Sequence, residues 1–197
     1  MKPWLAEIRT SLLAVAALAV VLCGVYPGVV WTLNHVLFPS RADGSLVIRD
    51  GEIRGSSLIA QRFAGPGYFH SRPSAAGDGW DASRSGGSNL GPLSKHLSET
   101  VRQRVADYRA ENGLPAGMLV PADAVTASAS GLDPHISLKN ALLQAWRVAR
   151  ARGITEEDVR ALIEKRTEGR SLGILGEPRV NVLALNLALD GSLHERR

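Results

Sequence analysis

The sequence predicts an α+β protein, with a single transmembrane helix near its start followed by one domain of helices and a small amount of sheet. Three observations predict it. Residues 10–40 carry no Asp, Glu, Lys or Arg, and about 20 apolar residues are enough to cross a bilayer core as a helix. Two β-forming runs flank an Asp50-Gly51 pair, the signature of a tight hairpin. Beyond residue 90, apolar side chains recur at helical spacing in successive stretches. The expected division is an anchor over 1–40 and a soluble domain over 41–197, which is room for one ordinary domain.

The anchor is the clearest element. Its centre, Leu12 to Val25, is Leu, Ala and Val with one Cys and one Gly. An isolated apolar segment in lipid must satisfy its own backbone, which a helix does. Trp4 and Trp31 flank the run; at helical rise they lie about 40 Å apart, the bilayer thickness with its headgroups, and tryptophan favours that depth. A cleaved signal peptide would need a shorter core and a small-x-small cleavage site. Here the run continues through Val25, Val29, Val30 and Leu33. A lipid attachment at Cys23 is disfavoured by Leu22, where a small residue is expected, and buried helices of soluble proteins rarely lack charge for so long. Lys2 and Arg9 precede the span, with Glu7 between them, and Arg41 is the first cation after it. That bias puts the N-terminus in the cytoplasm and residues 41–197 in an extracytoplasmic domain. Pro27 and Gly28 are expected to bend or end the helix.

Hydrophobic content is 45% but aromatics only 5%, so the soluble core must rest on Leu, Val, Ile and Ala. The single cysteine lies in the span, so no internal disulfide forms. The net charge of +4 is spread among acids without a basic stripe interleaved with aromatics, and nucleic acid is not an expected partner.

Ser45–Ile48 and Glu52–Ile59 form the predicted hairpin. Ala64 to Leu93 has no sustained apolar period; a loop this long inside a compact domain is functional or disordered, and Tyr68, Phe69 and Trp80 argue for packing. Leu93, Leu97, Val101, Val105 and Tyr108 lie on one helical stripe, ended by Gly113. Asp133 reads as an N-cap and Pro134 as a first helical residue, opening a helix with apolar face Leu138, Leu142, Ala145, Trp146 and Ala149. Arg147, Arg150 and Arg152 suit its C-terminal dipole, and Gly153 closes it. Thr155 and Asp158 resemble a capping box before a helix over Val159, Leu162 and Ile163. Pro178 to Leu189 fits a helix better than a strand, with both open.

Two stretches could carry chemistry. Ser85 to Pro92 is the most Gly-rich. It is either an anion or partner cradle or, more in keeping with its spacing, a turn feeding a helix. It lacks the Gly-Lys pair of a phosphate loop, and Leu90 replaces the last Gly of a G-x-S-x-G elbow. Ser128 to Ser137 holds Asp133 and His135, either half of a metal site or acid–base pair or, more economically, a capped helix start. Arg72 is expected to fix a loop through carbonyls or carboxylates, in preference to recognising a substrate.

Taken together, these stretches resemble a known family, the C subunit of the Kdp potassium-transporting P-type ATPase of bacteria. The resemblance lies in Gly55–Gln61 with Phe63, Tyr68–Ala75, Ser85–Pro92, Val125–Ser137 and Gly176–Leu183, in order after one span; the chain departs from the pattern at Ala60, where Gly is expected. The resemblance implies a non-catalytic accessory subunit of an inner-membrane complex for high-affinity potassium uptake. Its partners would be a channel-like potassium-selecting subunit, a P-type ATPase subunit and a small single-span subunit. Such a subunit is held to be needed for assembly and activity and to raise the ATPase subunit's ATP affinity. It would carry no cofactor of its own, ATP and potassium being handled by the complex. Candidate contacts to partner or nucleotide are Ser88, Asn89, Asp133 and His135, with no catalytic residue and no metal ligands assigned. A domain outside cannot touch cytoplasmic nucleotide across about 30 Å of hydrocarbon, so either its effect is a coupling carried through partners or the Ser85–Pro92 loop binds nucleotide from a cytoplasmic domain. The alternative from another class is an anchored exterior enzyme or metal-binding protein using Asp133 and His135.

Overall fold

The computed structural model describes residues 3–194, with side chains to 191. The chain divides into two compact units, Met1–Arg54 and Gly55–Arg197.

In the first unit, α1 (Pro3–Ala19) runs through a π-turn (Val20–Val25) into α2 (Tyr26–Leu37), an unbroken helical stretch with no buried residue. Pro27 does not end it. It sits in the first turn of α2, where a missing N–H costs little, and the wider turn before it lets the Tyr26 N–H reach the Val21 carbonyl, which makes room for the ring. Three polar side chains of the span bond inside the helix: Thr10 to Ala6 O at 2.9 Å, Thr32 to Gly28 O at 2.8 Å, and His35 Nδ1 lies 2.9 Å from Trp31 O. That is how polar groups survive in hydrocarbon. A short α3 (Pro39–Ala42) follows.

The hairpin forms as the Asp-Gly pair predicts, from β1 (Leu46–Arg49) and β2 (Glu52–Ser56). Asp50 and Gly51 both have positive φ, 54° and 76°, as the favoured two-residue turn requires.

The second unit holds α4 (Lys95–Glu111), α5 (Ala122–Val125), β3 (His135–Ser137), α6 (Leu138–Arg152), α7 (Glu156–Lys165), β4 (Thr167–Glu168), β5 (Arg179–Asn181) and α8 (Val182–His194). The sheet is antiparallel in the order β3-β5-β4, with Ile136 opposite Val180 and Thr167 opposite Val180 on the other edge. Phe69, Ile136, Ala145, Val148, Val159, Ile163, Val180, Leu185 and Leu189 form the core between sheet and α6–α8.

Four expectations need correction. Leu93 is not on the α4 stripe: it is 97% exposed, because Ser94 caps the helix by accepting the Leu97 N–H. Asp133 and Pro134 do not open α6. Asp133 accepts the His135 N–H at 3.0 Å, an Asx turn that sends the chain into β3, and the cap falls to Ser137, which accepts the Asn140 N–H at 3.1 Å. The 178–189 tail is strand and then helix. Val180 is the buried centre of the sheet, and Asn181 caps α8 through the Ala184 N–H. Trp146 is half-exposed; it covers Gly113, where an added Cβ would meet its ring at 2.9 Å, and lies under Arg150.

The α6 face turned inward carries Asn140, Gln144 and Arg147. The long 64–93 loop is packed as its aromatics suggest: Phe69 and Ala76 are fully buried. Asn186 of α8 clamps Phe69 through its N–H at 2.8 Å and its carbonyl at 3.0 Å. Gly153 closes α6 with φ 66°, and Thr155 caps α7 through the Asp158 N–H.

Candidate functional site

Asp133 and His135 flank Pro134 at the entry to β3, and both are half-buried. Arg72, from the long loop, donates to Asp133 Oδ2 at 2.9 Å and to the Ala127 carbonyl at 3.4 Å, the loop-fixing role its sequence context predicts. His135 Nδ1 lies 3.5 Å from Asp133 Oδ1 and its Nε2 3.7 Å from Glu168 Oε2. Glu168 in turn accepts from Arg179 at 3.1 Å. Burial alone would raise the Asp133 carboxyl, but the His135 side-chain and backbone bonds and Arg72 outweigh it and hold the group at about 2. A carboxylate so acidic, with its oxygens already engaged, is a poor proton acceptor at neutral pH. The arrangement is a strut between the 64–93 loop and the sheet.

Its energetics are testable. The folded-state value lies below the ordinary 3.8, so the strut stabilises the fold above pH 4, and that stabilisation is lost as pH falls through about 2. Asp133→Asn is expected to lower the unfolding free energy by about 1–2 kcal/mol at pH 7, solvent screening included. The gap between wild type and variant should hold from pH 7 to 5 and narrow by pH 3 in urea unfolding curves.

The Gly-rich segment lies against residues 128–131. The Gly86 N–H reaches Ser130 O at 2.9 Å and the Ser85 hydroxyl reaches the same oxygen at 3.0 Å. Gly131, φ 68°, is pressed so close that an added Cβ would sit 2.6 Å from both Ala76 N and Gly86 O. Ser88 and Asn89 are exposed on this loop. Among the described residues neither bonds to Asp133 or His135. The backbone thus brings together the two stretches the sequence singles out, Ser85–Gly86 and Ser130–Gly131, but not the four candidate side chains. A turn at Gly91–Ser94 then feeds α4.

Sequence reasoning missed a second feature, a cavity of about 250 Å³ lined by Phe63, His70, Trp80, Asp107, Tyr108 and Glu111 among others. His70 Nδ1 lies 2.9 Å from Glu111 Oε1, and its Nε2 faces Gly65 O at 3.1 Å. The His70 hydrogen bond holds the Glu111 carboxyl below its ordinary value, against the effect of burial. The Tyr108 hydroxyl donates to Asn140 Oδ1 at 2.8 Å, and burial pushes its phenol up. Behind it runs a chain of satisfied amides. Asn140 Nδ2 donates to Asp123 at 3.0 Å, Gln144 Nε2 to Asn140 Oδ1 at 2.9 Å, and Gln144 Oε1 accepts the His70 N–H at 2.8 Å. The one signal that could have found this network is polar residues at 140, 144 and 147, helical spacing on a face otherwise apolar. Among the described residues no group of three or more His, Cys, Asp or Glu is placed to hold a metal.

The chain matches the family KdpC, described as K+-transporting ATPase, c chain, over residues 8–191. It is 54% identical over 184 residues to the potassium-transporting ATPase KdpC subunit of Nitratidesulfovibrio vulgaris, covering 93% of each chain. It is 56% identical over 166 residues to that of Mycobacterium tuberculosis, covering 84% of this chain and 88% of the relative. The subunit of Koribacter versatilis is 50% identical over 184 residues. Among the described residues one helix, Pro3–Leu37, is long and apolar enough to cross a membrane; with its kinship to a membrane transport complex, this is a single-pass membrane protein. A match spanning nearly the whole sequence, at identities of half or more, settles the kinship: the chain belongs to the KdpC family and is an accessory subunit of a potassium-transporting ATPase.

Proposed function

We propose that this chain is a non-catalytic subunit that holds its soluble domain on the outer face of the inner membrane. There it steadies the assembled potassium-uptake complex at the ion's entry and supports its activity. Its partners are the channel-like potassium-selecting subunit, the P-type ATPase subunit and the small single-span subunit. One span puts everything after it on one side of the bilayer, and the cations before that span, Lys2 and Arg9, favour the cytoplasm for the preceding end. That single observation carries the reading. One helix cannot line an ion path alone, so transport belongs to the partners. From outside, any effect on ATP affinity is a coupling free energy through the ATPase subunit and not a contact with nucleotide. The Asp133–His135 pair supports the accessory role, because its geometry engages both residues in holding loops.

Protease added to intact spheroplasts tests the orientation. Degradation of the soluble domain before lysis is the expected result. A domain protected until lysis would contradict it and would favour nucleotide contact through Ser88 and Asn89.

A further inference from the structure

The cavity of about 250 Å³ takes its lining chiefly from α4 and the 64–93 loop, all within the second unit. Its walls carry both signs of charge. Arg104 and Asp107 stand three apart on α4, a spacing at which opposite charges pair on a helix surface. Both line the cavity, yet among the described residues they do not pair. Arg104 gives one N–H to the Val125 carbonyl at 3.2 Å, and Asp107 accepts from the neutral Gln103 amide at 2.8 Å. Each keeps an unmatched charge at the wall. Glu111, one turn beyond Asp107, adds a second carboxylate beside His70. The loop supplies Trp80. Its φ of 57° is unusual for a bulky residue, and its backbone N–H is held by Ser74 Oγ at 2.8 Å. Its indole N–H is buried and finds no acceptor among the described residues. Buried donors are nearly always satisfied, so this one calls for an acceptor from outside the chain.

We propose that this cavity binds a small zwitterion, an α-amino acid with an apolar side chain. Its ammonium faces Asp107 and Glu111, its carboxylate faces Arg104 and the Trp80 indole N–H, and its side chain lies against the rings of Phe63 and Tyr108. The proposal goes beyond the accessory reading and stands independently of it. Size and charge select this class. Sites for drug-sized ligands run to roughly 300–1,000 Å³, so the occupant here is smaller. A metal ion would find no group of three ligands among the described residues. An organic cation without a carboxylate leaves Arg104 and the Trp80 N–H unmatched, and an anion without an amine meets two carboxylates; burying such groups unpartnered is costly. A molecule carrying both charges matches each wall, and once bound it ties the 64–93 loop to α4.

Calorimetric titration of the detergent-solubilised full-length chain with L-leucine, L-methionine and L-phenylalanine tests it. At least one should bind saturably and raise the unfolding midpoint. For that amino acid, the amino alcohol, which lacks the carboxylate, and the deaminated acid, which lacks the ammonium, should each bind about tenfold more weakly or worse. Arg104→Gln should weaken binding to a similar degree. Asp107→Asn, at an exposed position, should do so with the ligand-free unfolding midpoint unchanged, and it decides the matter if Arg104→Gln does not fold. No saturable binding by any of the three amino acids, the result for a cavity that holds only water, would overturn the proposal. So would equal binding of the amino alcohol, the mark of an organic-cation site, or unaltered affinity in Asp107→Asn. None of these results touches the accessory reading, which is read from recovery of the partner subunits.

Discussion

Arg147→Met is expected to lower the unfolding free energy of the detergent-solubilised chain by about 3–5 kcal/mol in urea titration. Arg147 is buried, only 6% exposed, on a helix turn where a surface cation would have served the dipole. Its guanidinium donates to Pro66 O at 2.6 Å, Tyr68 O at 3.0 Å, Asn112 Oδ1 at 2.9 Å and Gln144 Oε1 at 2.9 Å. Burial depresses its proton affinity, with Glu111 acting against that, yet guanidinium remains charged. Methionine fills the space but leaves those acceptors dry, and each unsatisfied buried acceptor costs about 1–3 kcal/mol. Arg147→Lys should recover only part of the loss, since a single ammonium cannot reproduce the planar fork. Because two of the bonds end on the 64–93 loop, cleavage there by added protease should accelerate in step with the lost stability. A loss below about 1 kcal/mol would mean that the loop is held by its aromatic packing alone.

Gly131→Ala should be nearly as damaging, at about 3 kcal/mol or more. Two penalties coincide. The φ of 68° is strained for any residue with a Cβ, and the new methyl would overlap backbone atoms of two other segments, Ala76 and Gly86. Backbone cannot rotate away as a side-chain tip can, so the seam between the Gly-rich loop and residues 128–131 would have to open. Gly153→Ala is the control. It has nearly the same φ, 66°, but open space around it, so only the conformational term applies, about 1 kcal/mol. Equal costs at the two positions, read from the same unfolding curves, would refute the packing half of the argument.

Local chemistry was the legible part of this chain. The span, the Asp50-Gly51 turn, the Thr155 cap and the Gly153 stop each follow from neighbours within a few residues, and each stands where the sequence puts it. Asp133 shows the limit. Its carboxylate does accept a backbone N–H, that of His135, but the same Asx chemistry serves a strand entry as readily as a helix start. Choosing between them needs Arg179–Asn181, which pair with β3 from more than 40 residues away. The same strand explains the tail, where Val180 and Leu183 match one helical face in sequence yet belong to different elements. Trp146 misled because hydrophobic periodicity assumes an apolar interior, while α6 turns amides and a guanidinium inward to bind loop carbonyls. His70 and Glu111, some 40 residues apart, meet only through tertiary folding.

Above all, this domain is expected to act as a membrane-held part of a larger assembly. Affinity purification through a tag on this chain, with and without residues 1–40, tests it most directly. The ATPase subunit and the potassium-selecting subunit should come down with the full chain and be largely lost with the truncated one. A full-length chain recovered from the membrane without those subunits would contradict it.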